Sequence, residues 1–77
     1  MDELTIIERH LAEAERHFAE ASRHVEKQRR IVAELERDGH DASLAHNVLE
    51  TFLQSYTAHK AERDRLVQEK TLIVGKT

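Results

Sequence analysis

Histidine is the residue type in this chain best able to do chemistry, and six are present, at positions 10, 17, 24, 40, 46 and 59. Three of them recur at intervals of seven in ERHLAEAERHFAEASRHVEKQ, residues 8–28. Each follows an arginine and precedes a large apolar residue, giving Arg9-His10-Leu11, Arg16-His17-Phe18 and Arg23-His24-Val25. Imidazole binds transition metals when neutral and changes charge near neutral pH, so such a ladder points to a metal site or a proton sensor. Its spacing limits the first option. Seven residues of helix cover about 10.5 Å, whereas a metal holds its nitrogen ligands at about 2 Å. No two rungs on one helix can therefore share an ion. Glu13 with His17 and Glu20 with His24 are i,i+4 pairs, a spacing that more often gives a surface hydrogen bond or partial ion pair than a chelate. The residues three before the six histidines are Ile7, Ala14, Ala21, Arg37, Ser43 and Tyr56, so the Glu-x-x-His pattern of di-iron bundles is missing. His46 and His59 are left as the groups that could complete a site across an interface. Protonating all six imidazoles would carry the formal charge from −3 to +3 as pH falls through about 6.5.

Other reactive constellations are sparse. Ser22, Ser43 and Ser55 have no strand-turn-helix setting, and two glycines, Gly39 and Gly75, cannot build an oxyanion loop. The ending Lys70-Thr-Leu-Ile-Val-Gly75-Lys76-Thr77 resembles the close of a phosphate-binding loop, but Lys70 replaces its first glycine. Cysteine is absent, which rules out disulfides and thiolate metal sites and is compatible with a reducing cytoplasm. No catalytic, cofactor-binding or metal-binding residue is assigned, and an enzyme is not expected.

The elements that hold the histidines follow from periodicity. The chain has no proline and 35% charged residues in 77, a composition of long solvated helices. An unbroken heptad places Leu4, Leu11, Phe18, Val25 and Val32 at a, and Ile7, Ala14, Ala21, Gln28 and Leu35 at d. The histidines of the ladder then fall at g, on the shoulder of the seam. Gly39 is the only interior glycine and can adopt the left-handed conformation that ends a helix, while Asp41 or Ser43 can cap the next one. The expected architecture is all-α: a helix over about 3–38, a turn at 38–41, an antiparallel helix over about 42–71 and a short tail, 72–77. In the second helix Ala45, Leu49, Phe52, Tyr56, His59, Arg63, Leu66 and Ile73 repeat at intervals of three and four. Folding at Gly39 pairs Val32 with Leu49, Gln28 with Phe52, Ala21 with His59, Phe18 with Arg63 and Ala14 with Leu66. His59 is expected as a satisfied core histidine, and the tail as a frayed helical end facing Ile7 and Leu4 or as an ordered cover over the open end of the bundle.

A two-helix hairpin buries only one stripe of each helix, so a chain this small is marginal alone and should associate. The expected interface and core residues are Leu4, Ile7, Leu11, Phe18, Val25, Val32, Leu35, Leu49, Phe52, Tyr56, His59 and Leu66, with two hairpins closing into a four-helix homodimer. Arginine occupies f throughout, at 9, 16, 23, 30 and 37, interleaved with Glu13, Glu20 and Glu34. That interleaving, without aromatics for stacking, reads as intrahelical pairing; the alternative is a Rop-like RNA-binding hairpin. Fifteen acids against twelve bases also weigh against a general polyanion binder. The N-terminus lacks the pattern of a secretory signal, and Leu72-Ile73-Val74 is the longest apolar run, so no membrane association is expected.

The runs Ile31-Val-Ala-Glu-Leu-Glu-Arg-Asp-Gly-His-Asp41, Leu49-Glu-Thr-Phe-Leu53 and Ala58-His-Lys-Ala-Glu-Arg-Asp-Arg-Leu66 resemble a family of short alphaproteobacterial proteins common in rhizobia. The likeness covers most of the chain, including the Arg-His heptads. It implies a bacterial cytoplasmic setting and brings no activity, cofactor or catalytic residue. The expected function is that of a small self-associating interaction or regulatory module with an unidentified protein partner; the alternatives are RNA binding and histidine-based metal or pH sensing.

Overall fold

A computed structural model describes residues 2–76. Two helices, α1 (Glu3–Arg37) and α2 (Ser43–Gly75), pack antiparallel along their whole length into a rod of 59 × 14 × 14 Å. No helix among the described residues is long and apolar enough to cross a membrane.

Each end of α1 is closed by its own sequence. Asp2 precedes the helix in extended conformation and its carboxylate accepts the Thr5 N–H at 2.7 Å, satisfying one of the free amides of the first turn. The Thr5 side chain first, and its N–H second, hold the Asp2 carboxyl below the ordinary range by hydrogen bonding to it. At the other end the Gly39 N–H donates to the Glu36 carbonyl at 3.2 Å and the His40 N–H to the Leu35 carbonyl at 2.9 Å. These two bonds make a Schellman motif, which needs a left-handed residue after the cap; Gly39 supplies it with φ +75°. A Cβ built on Gly39 meets nothing within 4 Å, so the requirement is purely conformational. Gly39→Ala is therefore expected to destabilise the hairpin by about 1–2 kcal/mol, with Gly39→Asn costing less, as read from thermal unfolding.

Asp41 restarts the chain as a helix. Its Oδ1 accepts both the Ser43 N–H at 2.9 Å and the Ser43 hydroxyl at 2.7 Å, and these bonds lower its pKa. Between the two expected capping residues the acceptor is thus Asp41, and Ser43 donates to it.

The seam keeps the expected register. Arg63 lies over the Phe18 ring, 4.6 Å from its centre, and Leu66 packs with Ile7 and Ala14. Gln28, at a d position, is buried and donates from Nε2 to the Ala45 carbonyl at 2.9 Å. It is the one buried polar residue of the described chain and it is satisfied. Such a bond favours a single register, because any slide leaves a buried amide without a partner.

Burial is uneven along the seam. Ile7, Ala14, Ala21, Val25, Val32 and Leu66 are buried, whereas Leu4, Leu11, Phe18, Leu35, Leu49, Phe52 and Tyr56 are only half-buried. On the first three heptads of α1 the d line is buried and the a line is left at the edge, whereas from Val25 to Val32 residues of both lines are buried. Ala42, outside the expected core, is buried beside the turn.

Two further features differ from expectation. Residues 72–75, expected as tail, continue α2, because Ile73 packs against the Ile7–Ala14–Leu66 cluster together with Leu4 and Leu11. That burial outweighs the weak helix preference of the β-branched residues Thr71, Ile73 and Val74; Thr77 lies outside the described residues. The expected lacing of α1 by Glu13 and Glu20 with Arg16 and Arg23 is also not formed. On α2, by contrast, Lys60 meets Asp64 at 2.8 Å and Arg65 joins both Glu62 and Glu69. Exposed i,i+4 pairs are worth only ~0.2–0.5 kcal/mol, so solvation competes readily with any one of them.

Candidate functional site

Antiparallel heptads bring the g positions of α1 against those of α2 along one flank of the seam, and this places the ladder. His10, His17 and His24 all line that flank, and all three are exposed. Opposite them α2 contributes Phe52, Ser55, His59 and Glu62.

Each rung meets something different. The His17 and His59 rings lie 5.5 Å apart between centres, with their planes inclined by 55°. The His24 ring rests on Phe52 at 5.4 Å. His10 shares a groove with Glu13, His17 and Glu62. Glu62 is held below the usual carboxylate range by its hydrogen bond to Arg65, with the His10 side chain adding a smaller electrostatic contribution.

His59 is half-buried on the seam-facing stripe of α2, above Ala21 as expected. Its contact is with the His17 ring, in place of the hydrogen bond anticipated for a core histidine. A heptad locates His59 at the seam, but a small residue opposite it leaves a shallow depression open to solvent, and the ring tilts toward the flank. His46 takes no part: it lies near the turn with Nε2 3.3 Å from a Glu36 carboxylate oxygen. His40 is in the turn and exposed. The five histidines that could have met at an interface thus yield one contact within the chain, His17 with His59. No group of three or more histidine, aspartate or glutamate side chains stands ready to hold a metal ion among the described residues.

The opposite flank carries an apolar groove bordered by charged residues. Near the open end Leu11, Val67, Thr71 and Val74 line a groove of about 510 Å³, with Lys70 at its margin. Lys70 Nζ also reaches Glu8 at 3.4 Å. Further along, Phe18 packs on Tyr56 with ring centres 5.1 Å apart. Periodicity assigned Leu11, Phe18 and Tyr56 to the seam; it did not show that a groove would open beside them at the free end of the hairpin.

The grooves on both flanks are shallow and open to solvent. No family model, curated protein or solved structure matches this chain.

Proposed function

We propose that the chain is a small self-associating helical hairpin that acts as an interaction or regulatory module without catalysis, in the bacterial cytoplasm that its resemblance implies. The observation that carries this reading is the apolar groove of the open flank. Leu4, Leu11 and Phe18 are only half-covered, and Val67 and Val74 beside them are 43% and 49% exposed. Laying this flank against the same flank of a second copy gives an isologous contact and closes a four-helix bundle. Leu72 at 63% exposure and Leu44 at 76% add apolar surface outside the seam. Sedimentation equilibrium across the micromolar range is expected to give twice the chain mass. A single-chain mass throughout, with a sharp thermal transition, would remove the proposal.

One observation favours RNA binding as a second reading. Arg16, Arg23 and Arg30 run along the outer face of α1, and among the described residues no carboxylate pairs with them. Guanidinium groups left available at regular spacing can follow a phosphate backbone. Fluorescence anisotropy with a short RNA hairpin would then show salt-dependent binding that is lost in Arg16→Glu/Arg23→Glu. Equal, weak anisotropy for both proteins would dismiss it.

A further inference from the structure

Apolar surface is not spread evenly along the flank that carries the open groove. On α1 the a residues nearer the turn, Val25 and Val32, are buried, whereas Leu4, Leu11 and Phe18 toward the open end are only half-covered. On α2 Leu49 and Leu53 are half-buried, whereas Val67 and Val74, which border the groove, are exposed. Burial stabilises in proportion to the apolar area removed from water. A second copy laid on this flank therefore gains most when open half meets open half.

The two edges of that half differ in charge. Glu8 and Glu15 are the e residues of α1 beside Leu4, Leu11 and Phe18. The α2 edge carries Lys60, one heptad before Val67, together with Arg63 over the Phe18 ring and Lys70 at the groove. Lys60 and Arg63 share one carboxylate, Asp64, each at 2.8 Å, and Lys70 reaches Glu8 at 3.4 Å. Two acids thus stand along one edge, and three bases with one acid along the other.

Two kinds of two-fold axis lay this flank on its own copy. An axis across the rod sets α1 on the other α1 and α2 on the other α2, so acid faces acid and base faces base. An axis along the rod sets α1 of each copy on α2 of the other. Glu8 and Glu15 then face the basic edge, and the open halves coincide. Like charges juxtaposed across an interface are penalised and opposite ones fix its register, so the second arrangement satisfies both the burial and the charge.

We propose that two hairpins associate about a two-fold axis parallel to the rod, with their open ends together and α1 of each copy against α2 of the other. The inference rests on the self-association proposed above and adds its polarity. Both turns stand at one end of the bundle and both open ends at the other, whereas an axis across the rod would make the two ends identical.

A spin label at the turn tests the alignment in the intact protein. The chain has no cysteine, and His40→Cys places one nitroxide in the exposed turn, away from the flank. Packed helices lie 8–10 Å apart, so with the reach of the labels pulsed dipolar spectroscopy should give a distance between copies of about 15–35 Å. An axis across the rod would separate the turns by about the 59 Å length of the rod or more. Independently, Glu8→Lys/Glu15→Lys should weaken dimerisation about tenfold in sedimentation, and adding Lys60→Glu/Lys70→Glu should restore it to within about threefold of the parent. With an axis across the rod the first reversal leaves like facing like and changes little; far-UV circular dichroism verifies that each variant keeps its helices. A turn-to-turn distance approaching or exceeding the rod length in a protein of twice the chain mass, or undiminished dimerisation in Glu8→Lys/Glu15→Lys, would overturn the alignment and leave self-association standing. A single-chain mass with no distance between copies would overturn both.

Discussion

Leu66→Ala is expected to abolish or sharply lower the thermal transition of the hairpin. Leu66 is the most buried side chain in the described structure, at 3% exposure, and it joins Ile7, Ala14, Leu4, Leu11 and Ile73 at the open end. Truncating a buried leucine typically costs about 2–5 kcal/mol, the lost transfer energy plus the cavity left behind. For a chain of this length each kcal/mol moves the midpoint by about 4–8 °C, so a fall of roughly 10–30 °C follows. Two straight helices joined only at the far end have little means of collapsing into the gap. Leu44→Ala is the matching control: at 76% exposure its loss should stay within about 0.5 kcal/mol. Thermal unfolding followed by circular dichroism separates the two; equal effects would mean that Leu66 is not at the centre of the core.

Val67→Glu/Val74→Glu is expected to convert the associated form to single chains without loss of helix. The two valines border the apolar groove at the open end, one on each side of Thr71 along α2. Glutamate is the better helix former, so the hairpin itself is not weakened by local preference. In a two-fold contact, however, four carboxylates would have to leave water. Burying unpaired polar groups costs about 1–3 kcal/mol each at the least, so dissociation should strengthen by more than about 100-fold. Sedimentation at a fixed micromolar concentration reads this as a halved mass with an unchanged far-UV spectrum. An unchanged mass would place the contact on another surface.

The architecture was legible because its signals are local and repeated. The heptad from Leu4 to Leu35, the single interior glycine and the aspartate two residues beyond it specify both helices, the turn and a register confirmed by Phe18 with Arg63 and Ala14 with Leu66. The finer features depend on how far each helix is rotated about its own axis, which periodicity leaves open by tens of degrees. That rotation leaves Leu11 and Phe18 at an edge and buries Ala14 and Ala21. It also turns His59 out to His17 rather than into the core. The expected bound of α2 near residue 71 fell short although Ile73 already belonged to its stripe and Ile7 to its facing surface; Ile73 packs there and α2 runs to Gly75. On the candidate site, the contact of His17 with His59 was not legible, because a contact between helices leaves no trace in the spacing on either one.

The bond from Gln28 to the Ala45 carbonyl has a mechanical consequence. In many two-stranded helical rods one strand can slip along the other by a turn, and a displacement at one end is absorbed as sliding before it reaches the other. Here such slippage would strand a buried amide close to the turn, at the closed end of the rod. The hairpin is keyed at one point, so a push or pull on its open end is carried as bending of a strut 59 Å long and not dissipated as creep between its two legs.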